Sequence, residues 1–172
     1  MPKTAIIMGS GSDLPVMKAA AETLELFSVK FELRILSAHR TPKETAAYVA
    51  KAPARGVEVF IAGAGGAAHL PGVIASFTTL PVIGVPISGT LEGLDALLSI
   101  TQMPPGVPVA AVGVNAAKNA ALLAVAILAL RDKALARRLR AYRSKMKREV
   151  LDGSRKVSRL GYKKYLERLK RG

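Results

Sequence analysis

Short apolar runs recur along the chain, and the segments between them are long enough to hold a helix. Four of the five runs are nearly continuous in apolar residues, which is typical of strands buried on both faces. The second run alternates instead, which also predicts a strand. The predicted strands cover residues 3–8, 29–36, 57–62, 81–85 and 108–114.

The segments between the strands carry signals for helix starts. Ser12 or Asp13 is predicted to cap the first helix, ahead of Pro15. Thr41–Glu44 has the spacing of a capping box, and Asn115 is predicted to cap the fifth helix. The helices are expected to end near residues 27, 54, 78, 100 and 130.

Strands that alternate with helices predict a parallel sheet with helices on both faces. The fold class is therefore predicted as α/β: a three-layer α/β/α, flavodoxin-like, doubly wound parallel five-stranded sheet with a C-terminal helical extension. In such sheets ligands bind beyond the carboxyl ends of the strands. The turns there are Gly9–Asp13, Ser37–Pro42 and Gly63–Pro71, and they hold both histidines of the chain. We therefore predict one site at this edge.

The predicted helix over residues 116–130 is apolar nearly all round. Such a helix is normally buried on several sides. Either ordinary core packing or a covering second subunit would explain it.

Charge divides the chain into two parts. The net charge is +14, but residues 1–130 hold 9 Lys/Arg and 8 Asp/Glu, whereas residues 131–172 hold 17 and 4. We predict a catalytic domain over residues 1–130 and a basic helical extension over residues 131–172, packed on its own or a neighbouring subunit. The extension places Leu135, Leu139, Tyr142 and Met146 on one helical face, with a break at Gly153. Because an apolar face is not needed to attract phosphates, nucleic-acid binding is disfavoured.

Composition narrows the function classes further. The absence of Cys excludes disulfides and thiolate chemistry. The longest apolar stretch, residues 120–130, is shorter than a membrane span, and the first apolar run lacks the features of a signal peptide. We expect a cytoplasmic protein that does not enter membranes.

The first turn, Gly9-Ser10-Gly11-Ser12-Asp13, is similar to a phosphate-binding turn. Glycines let the backbone approach an anion, while hydroxyls and helix-start amides donate to it. An ordinary capped turn remains the alternative, and Asp13 is either a cap or a ligand for ribose hydroxyls.

The second turn places His39 beside Arg40. Imidazole carries protons near neutral pH, and guanidinium suits phosphate. The alternative is that His39 and Arg40 are neighbouring surface residues with no role in binding or catalysis.

The third turn, Gly63 to Gly72, is rich in small residues that let backbone amides line a tight pocket. His69 is either part of that pocket or merely a residue at a helix start. Two histidines without Cys or a His-x-x-x-His spacing do not favour a metal site.

Together these strings identify a family resemblance. MGSGSD (8–13), SAHRTP (37–42), AGAGGAAHLPG (62–72) and LPVIGVP (80–86) closely resemble the N5-carboxyaminoimidazole ribonucleotide mutase family, and SITQMPPGVPVA (99–110) and AAKNAALLA (116–124) extend the match. SAHRTP resembles the mutase branch rather than the related direct aminoimidazole ribonucleotide carboxylases. The C-terminal segment looks longer and more basic than is usual in the family.

The resemblance implies the activity: transfer of a carboxylate from the exocyclic nitrogen of an aminoimidazole ribonucleotide to ring carbon C4, in de novo purine synthesis. It implies no metal and no organic cofactor, a homo-octamer, and functional coupling to an ATP-dependent carboxyaminoimidazole ribonucleotide synthetase. His39 is implied as the general acid–base, with His69 as the second catalytic residue. The implied substrate-binding residues are Ser10, Ser12, Asp13, Ser37, Ala38, Arg40, Gly63, Ala64, Gly65, Gly66, Ala67 and Leu70.

Overall fold

Five parallel strands form the centre of the molecule in a computed structural model that describes residues 3–171, with side chains to residue 169. The strands are β1 (Thr4–Met8), β2 (Phe31–Ile35), β3 (Val59–Gly65), β4 (Val82–Ile87) and β5 (Ala110–Ala111). Their order is β2-β1-β3-β4-β5. Chain order therefore reverses beside β1, which confirms the predicted doubly wound, flavodoxin-like sheet.

The bounds of the strands differ from the predicted ranges, as β3 and β5 illustrate. β3 continues through Gly63 to Gly65, because this segment pairs in register with Val85–Ile87 of β4. β5 is reduced to two residues, since only Ala110 and Ala111 pair with β4. The small residues after position 62 thus belong partly to the sheet, not to a loop.

Within residues 3–171, seven α-helices accompany the sheet. They are α1 (Leu14–Leu26), α2 (Pro42–Lys51), α3 (Leu70–Ser76), α4 (Leu94–Thr101), α5 (Ala117–Ala129), α6 (Lys133–Leu160) and α7 (Tyr162–Arg171). One core cluster lies on the face of the sheet covered by α1 and α5, and a second on the face covered by α2, α3 and α4. The three-layer arrangement is as predicted.

Asp13 and Thr41 stand at the predicted N-cap positions of α1 and α2, but the predicted side-chain capping bonds do not form. Ser10, rather than Ser12 or Asp13, caps a short 3-10 turn ahead of α1. Thr41 forms no capping box, because its hydroxyl is bonded to Ser37. Asn115 stands at φ +57°, outside α5, and its Oδ1 accepts from the Ser88 N–H. In each case a tertiary or turn contact takes the side chain that the local pattern assigned to the helix.

Helix α5 packs within this chain. Its small residues Ala117, Ala120, Ala121 and Ala124 are fully buried, and they belong to the same core cluster as residues of α1 and the sheet. Leu135, Leu139 and Tyr142 of α6 pack on that cluster too, whereas Met146, predicted for the same face, is exposed. Core packing therefore accounts for most of the apolar surface of α5.

The C-terminal extension is helical, as predicted, but its break is elsewhere. α6 runs through Gly153 without interruption and ends at Leu160, where Gly161 takes φ +75°. A glycine inside a helix weakens it by only about 1 kcal/mol, whereas a residue at positive φ cannot continue it. Beyond its first turns α6 is exposed. Within residues 3–171 no helix is long and apolar enough to cross a membrane.

Candidate active site

The carboxyl ends of β1, β2 and β3 meet at an open cleft of about 430 Å³. All three predicted turns contribute to it, because parallel strands that are adjacent in the sheet end at the same edge. The cleft is lined by Gly9, Ser10, Asp13, Ser37, Ala38, His39, Arg40, Ala64, Gly65, Ala68, His69 and Leu70.

The turn after β1 is held by reciprocal hydrogen bonds. The Ser10 hydroxyl accepts from the Ser12 N–H, and the Asp13 carboxylate accepts from the Ser10 N–H at 3.0 Å. The Ser12 hydroxyl lies 2.9 Å from that of Ser10. Only Asp13 Oδ2 is used in this bond, and among residues 3–171 Oδ1 makes no hydrogen bond. The carboxylate thus shapes the turn and keeps an oxygen for a ligand hydroxyl.

The turn after β2 is organised around the Ser37 hydroxyl. It accepts from the backbone N–H groups of His39 and Arg40, at 3.3 and 3.2 Å. The Arg40 side chain reaches across to the first turn, where its Nη2 donates to the Gly9 carbonyl at 2.8 Å. This bond places a permanent positive charge between the two turns, where it suits a phosphate.

The two histidines meet although thirty residues separate them. Nε2 of His39 lies 2.7 Å from Nδ1 of His69, and the two rings pack edge to face. One of these nitrogens must carry a hydrogen and the other must accept it. Both side chains are exposed to the cleft. The pair can therefore hold or release a proton next to a bound molecule.

The small residues of the third turn differ in their structural roles: one packs in the core and others line the cleft. Gly63 is buried in β3, and a Cβ there would lie 2.5 Å from Met17 Sδ and 3.1 Å from Ile87 Cδ1. Its small size therefore serves the approach of α1 to the sheet. Ala64, Gly65 and Ala68 do line the cleft, and Ala68 adopts a left-handed φ of +44° there.

Most residues predicted for the site lie together, but four do not line the cleft. Ser12, Gly66 and Ala67 are exposed beside it, and Gly63 is behind it. The prediction omitted Gly9 and Ala68 from the binding set. Both stand inside the strings that predicted the turns, so their neighbours carried the signal.

A partly buried ion pair links Glu32, near the start of β2, to Arg55 in the 3-10 turn Pro53–Arg55 that follows α2. Arg55 donates to both carboxylate oxygens of Glu32, at 2.8 and 3.1 Å, and the Tyr48 hydroxyl donates to the same carboxylate at 2.6 Å. The bonds from Arg55 hold the pKa of Glu32 below its usual value, against the opposing effect of burial. Burial, with the Glu32 hydrogen bond, raises the pKa of Tyr48 to about 12.

Comparisons with known proteins show the family and the fold. The family model described as AIR carboxylase matches residues 3–149. The N5-carboxyaminoimidazole ribonucleotide mutase of Pyrococcus abyssi is 60% identical over 97% of this chain and 97% of its own, and that of Thermotoga maritima is 58% identical over 96% and 98%. The crystal structure of Treponema denticola PurE superposes with a TM-score of 0.83 at 30% identity, covering 94% of this chain and 99% of that one.

The length of these matches corrects one expectation. Both mutases align with 96% or more of this chain, and with nearly all of their own length. The C-terminal extension is therefore matched in length by these two mutases. On these matches, the chain belongs to the AIR carboxylase family.

Proposed function

We propose that this protein converts N5-carboxyaminoimidazole ribonucleotide to 4-carboxy-5-aminoimidazole ribonucleotide, as a mutase of de novo purine synthesis. Relatives that carry this name match almost the whole chain, at 58–60% identity. The observation that carries the mechanism is the His39–His69 pair, which lies beside Arg40 in an open cleft.

The ribonucleotide would bind across the first two turns. Its phosphate would meet Arg40 and the Ser10 and Ser37 hydroxyls, and a ribose hydroxyl would donate to Asp13. This orientation directs the aminoimidazole ring toward the histidine pair and the small residues at the end of β3. Ala64, Gly65 and Ala68 leave room there for a carboxylate or a molecule of carbon dioxide, with Leu70 and Ala38 closing the sides.

The reaction then needs one proton, which His39 donates and later recovers. His39 protonates the carbamate nitrogen, the N–C bond breaks with its electron pair staying on nitrogen, and carbon dioxide is released into the cleft. Ring carbon C4 attacks the carbon dioxide and forms the C–C bond. His39 then removes the C4 proton, so the enzyme regains its starting protonation state.

His69 would support this cycle through its contact with His39. Because its Nδ1 lies 2.7 Å from His39 Nε2, it restricts the orientation of the His39 ring and shares the hydrogen between the two nitrogens. The balance of atoms above needs no metal and no organic cofactor.

The test is substitution of His39 by Asn, which keeps a polar side chain but cannot carry the proton. We expect isomerisation of the carbamate substrate to fall by about 10²–10⁴-fold or more. Binding of aminoimidazole ribonucleotide, measured by calorimetry, should persist because Arg40 and Asp13 are intact. Near-normal turnover in the variant would contradict the acid–base role. Turnover of aminoimidazole ribonucleotide with bicarbonate, and none of the carbamate, would identify a direct carboxylase instead.

The same proposal includes a homo-octamer in the cytoplasm. A compact monomer of this mass exposes about 8,100 Å², whereas this chain exposes 10282 Å². Exposed apolar side chains on the C-terminal helices, including Val150, Leu166 and Leu169, contribute to the excess. Such surface is suited to contacts between subunits. The substrate itself would come from an ATP-dependent synthetase.

A further inference from the structure

The hydroxyl groups of Ser37, Thr41 and Thr45 all form hydrogen bonds with backbone groups of the second turn, and together they are called here the hydroxyl cluster. The Thr41 hydroxyl accepts from the Ser37 N–H at 2.8 Å and donates to the Ser37 carbonyl at 3.1 Å. Neither threonine lines the cleft. Both therefore stand outside the set of groups that would touch a substrate.

Thr45 extends the cluster into the core. It is fully buried, and its hydroxyl lies 2.8 Å from the Thr41 carbonyl and 3.4 Å from that of Ser37. It sits on the first turns of α2, a helix that buries only Thr45 and Val49. Few apolar contacts thus hold the start of this helix, and polar bonds supply much of the constraint.

The residues between the two ends of the cluster are Ala38, His39 and Arg40. Their backbone is fixed at one end by Ser37, whose hydroxyl accepts from His39 N and Arg40 N, and at the other by Thr41, whose N–H donates to the Ser37 carbonyl at 3.0 Å. The cluster therefore sets the position of both functional side chains at once.

We propose that Thr41 and Thr45 are positioning residues for the reaction, and that they act by holding the backbone from which His39 and Arg40 project. The kinetic part of this inference rests on the proposed function. A misplacement of about 1 Å in such a group can reduce a rate by about 100-fold.

Of the two threonines, Thr41 is expected to contribute more to holding the backbone of the second turn. Within residues 3–171, the Thr41 hydroxyl is the only hydrogen-bond acceptor of the Ser37 N–H. In Thr41→Val the shape remains but this N–H loses its partner, and the turn must move to find another. Thr41→Ser keeps the hydroxyl and serves as the matched control.

Thr45→Val separates positioning from stability. Without the Thr45 hydroxyl, the Ser37 carbonyl still accepts from Thr41 N, and the Thr41 carbonyl still accepts from Thr45 N at 3.0 Å. No backbone group is left unpaired, so the melting temperature should fall by no more than about 6 °C. Any loss of activity in this variant then reflects the freedom of the turn.

The experiment measures steady-state kinetics and amide hydrogen exchange on the ligand-free protein. We expect Thr41→Val to lower kcat and raise KM, with kcat/KM reduced by about 10-fold or more, and Thr41→Ser to stay within about threefold. Thr45→Val should fall between them. The His39 and Arg40 amides should exchange faster in both Val variants and at the parental rate in Thr41→Ser.

Two results would overturn the inference: parental exchange at these amides in Thr41→Val, or kcat and KM within twofold of the parent. Hydrogen exchange needs no substrate. If the parent fails to isomerise the carbamate, the proposed function is wrong, and the exchange data still decide whether the hydroxyl cluster holds the turn.

Discussion

Removal of the Arg55 guanidinium tests how much its ion pair with Glu32 stabilises the fold. Arg55→Met takes away the charge and the two hydrogen bonds to Glu32, but keeps an unbranched stem to pack on the Tyr48 ring, whose centroid lies 4.7 Å from the guanidinium carbon. The Glu32 side chain, only 13% exposed, would then keep Tyr48 as its remaining donor.

The size of the effect follows from burial. Removing one partner of a fully buried pair costs about 3–5 kcal/mol, and of an exposed pair about 0–1 kcal/mol. The Arg55 side chain is 37% exposed, so solvent screens the pair and we expect a loss of about 1–2 kcal/mol. For a chain of this length, that lowers the melting temperature by about 2–8 °C.

The loss should also depend on pH, with a definite sign. Arg55 depresses the pKa of Glu32 in the folded state below its ordinary value of 4.5. A depressed carboxyl pKa stabilises the fold above the unfolded pKa, and this contribution disappears as the pH falls through the folded pKa. The difference in the free energy of unfolding between the parent and Arg55→Met should therefore be largest at pH ~7 and shrink below pH ~4.5.

Urea denaturation at a series of pH values measures both quantities. Lys3→Met is the matched control, because the Lys3–Glu58 pair has a similar length of 3.3 Å but side chains that are 50% and 39% exposed. It should change stability by no more than about 1 kcal/mol. Equal effects of the two substitutions, or a loss in Arg55→Met that is the same at pH ~7 and ~3, would refute the reasoning.

Two further predictions concern packing and assembly. Gly84→Ala should destabilise by about 1–3 kcal/mol, because the added Cβ would meet Ile100 and lie 3.2 Å from Val109, whereas Gly89→Ala meets open space; equal urea midpoints would contradict this. Deleting residues 152–172 should lower the melting temperature or the particle mass seen by light scattering, while activity survives at low temperature. Unchanged size and stability with lost affinity for RNA or DNA would favour nucleic-acid binding instead.

The sequence alone was sufficient to predict the layers of the fold and the edge at which the site lies. Apolar runs predict buried parallel strands, and the spacing of apolar residues together with helix-start signals predicts helices. Both patterns are local in the sequence. The carboxyl ends of such strands share one edge, so the turns that contain Ser10, His39 and His69 are assigned to one region by the order of the elements along the chain. The family resemblance added the reaction and the residue roles.

Tertiary structure decided what each side chain in those turns does. Gly63 begins a segment of small residues that is typical of a binding loop, but pairing of β3 with β4 and the approach of Met17 place it in the core. Thr41 and Asn115 had the pattern of helix caps, but Ser37 and Ser88 lie close enough to bind them.

The contact between His39 and His69 shows the same limit most clearly. Their separation of thirty residues carries no local signal, and the distance of 2.7 Å depends on the register of β1 with β2 and β3. Local patterns report the period and ends of an element, because they arise from neighbouring residues. Strand register and helix approach arise from contacts between distant segments, so only the folded chain determines which of the candidate side chains meet.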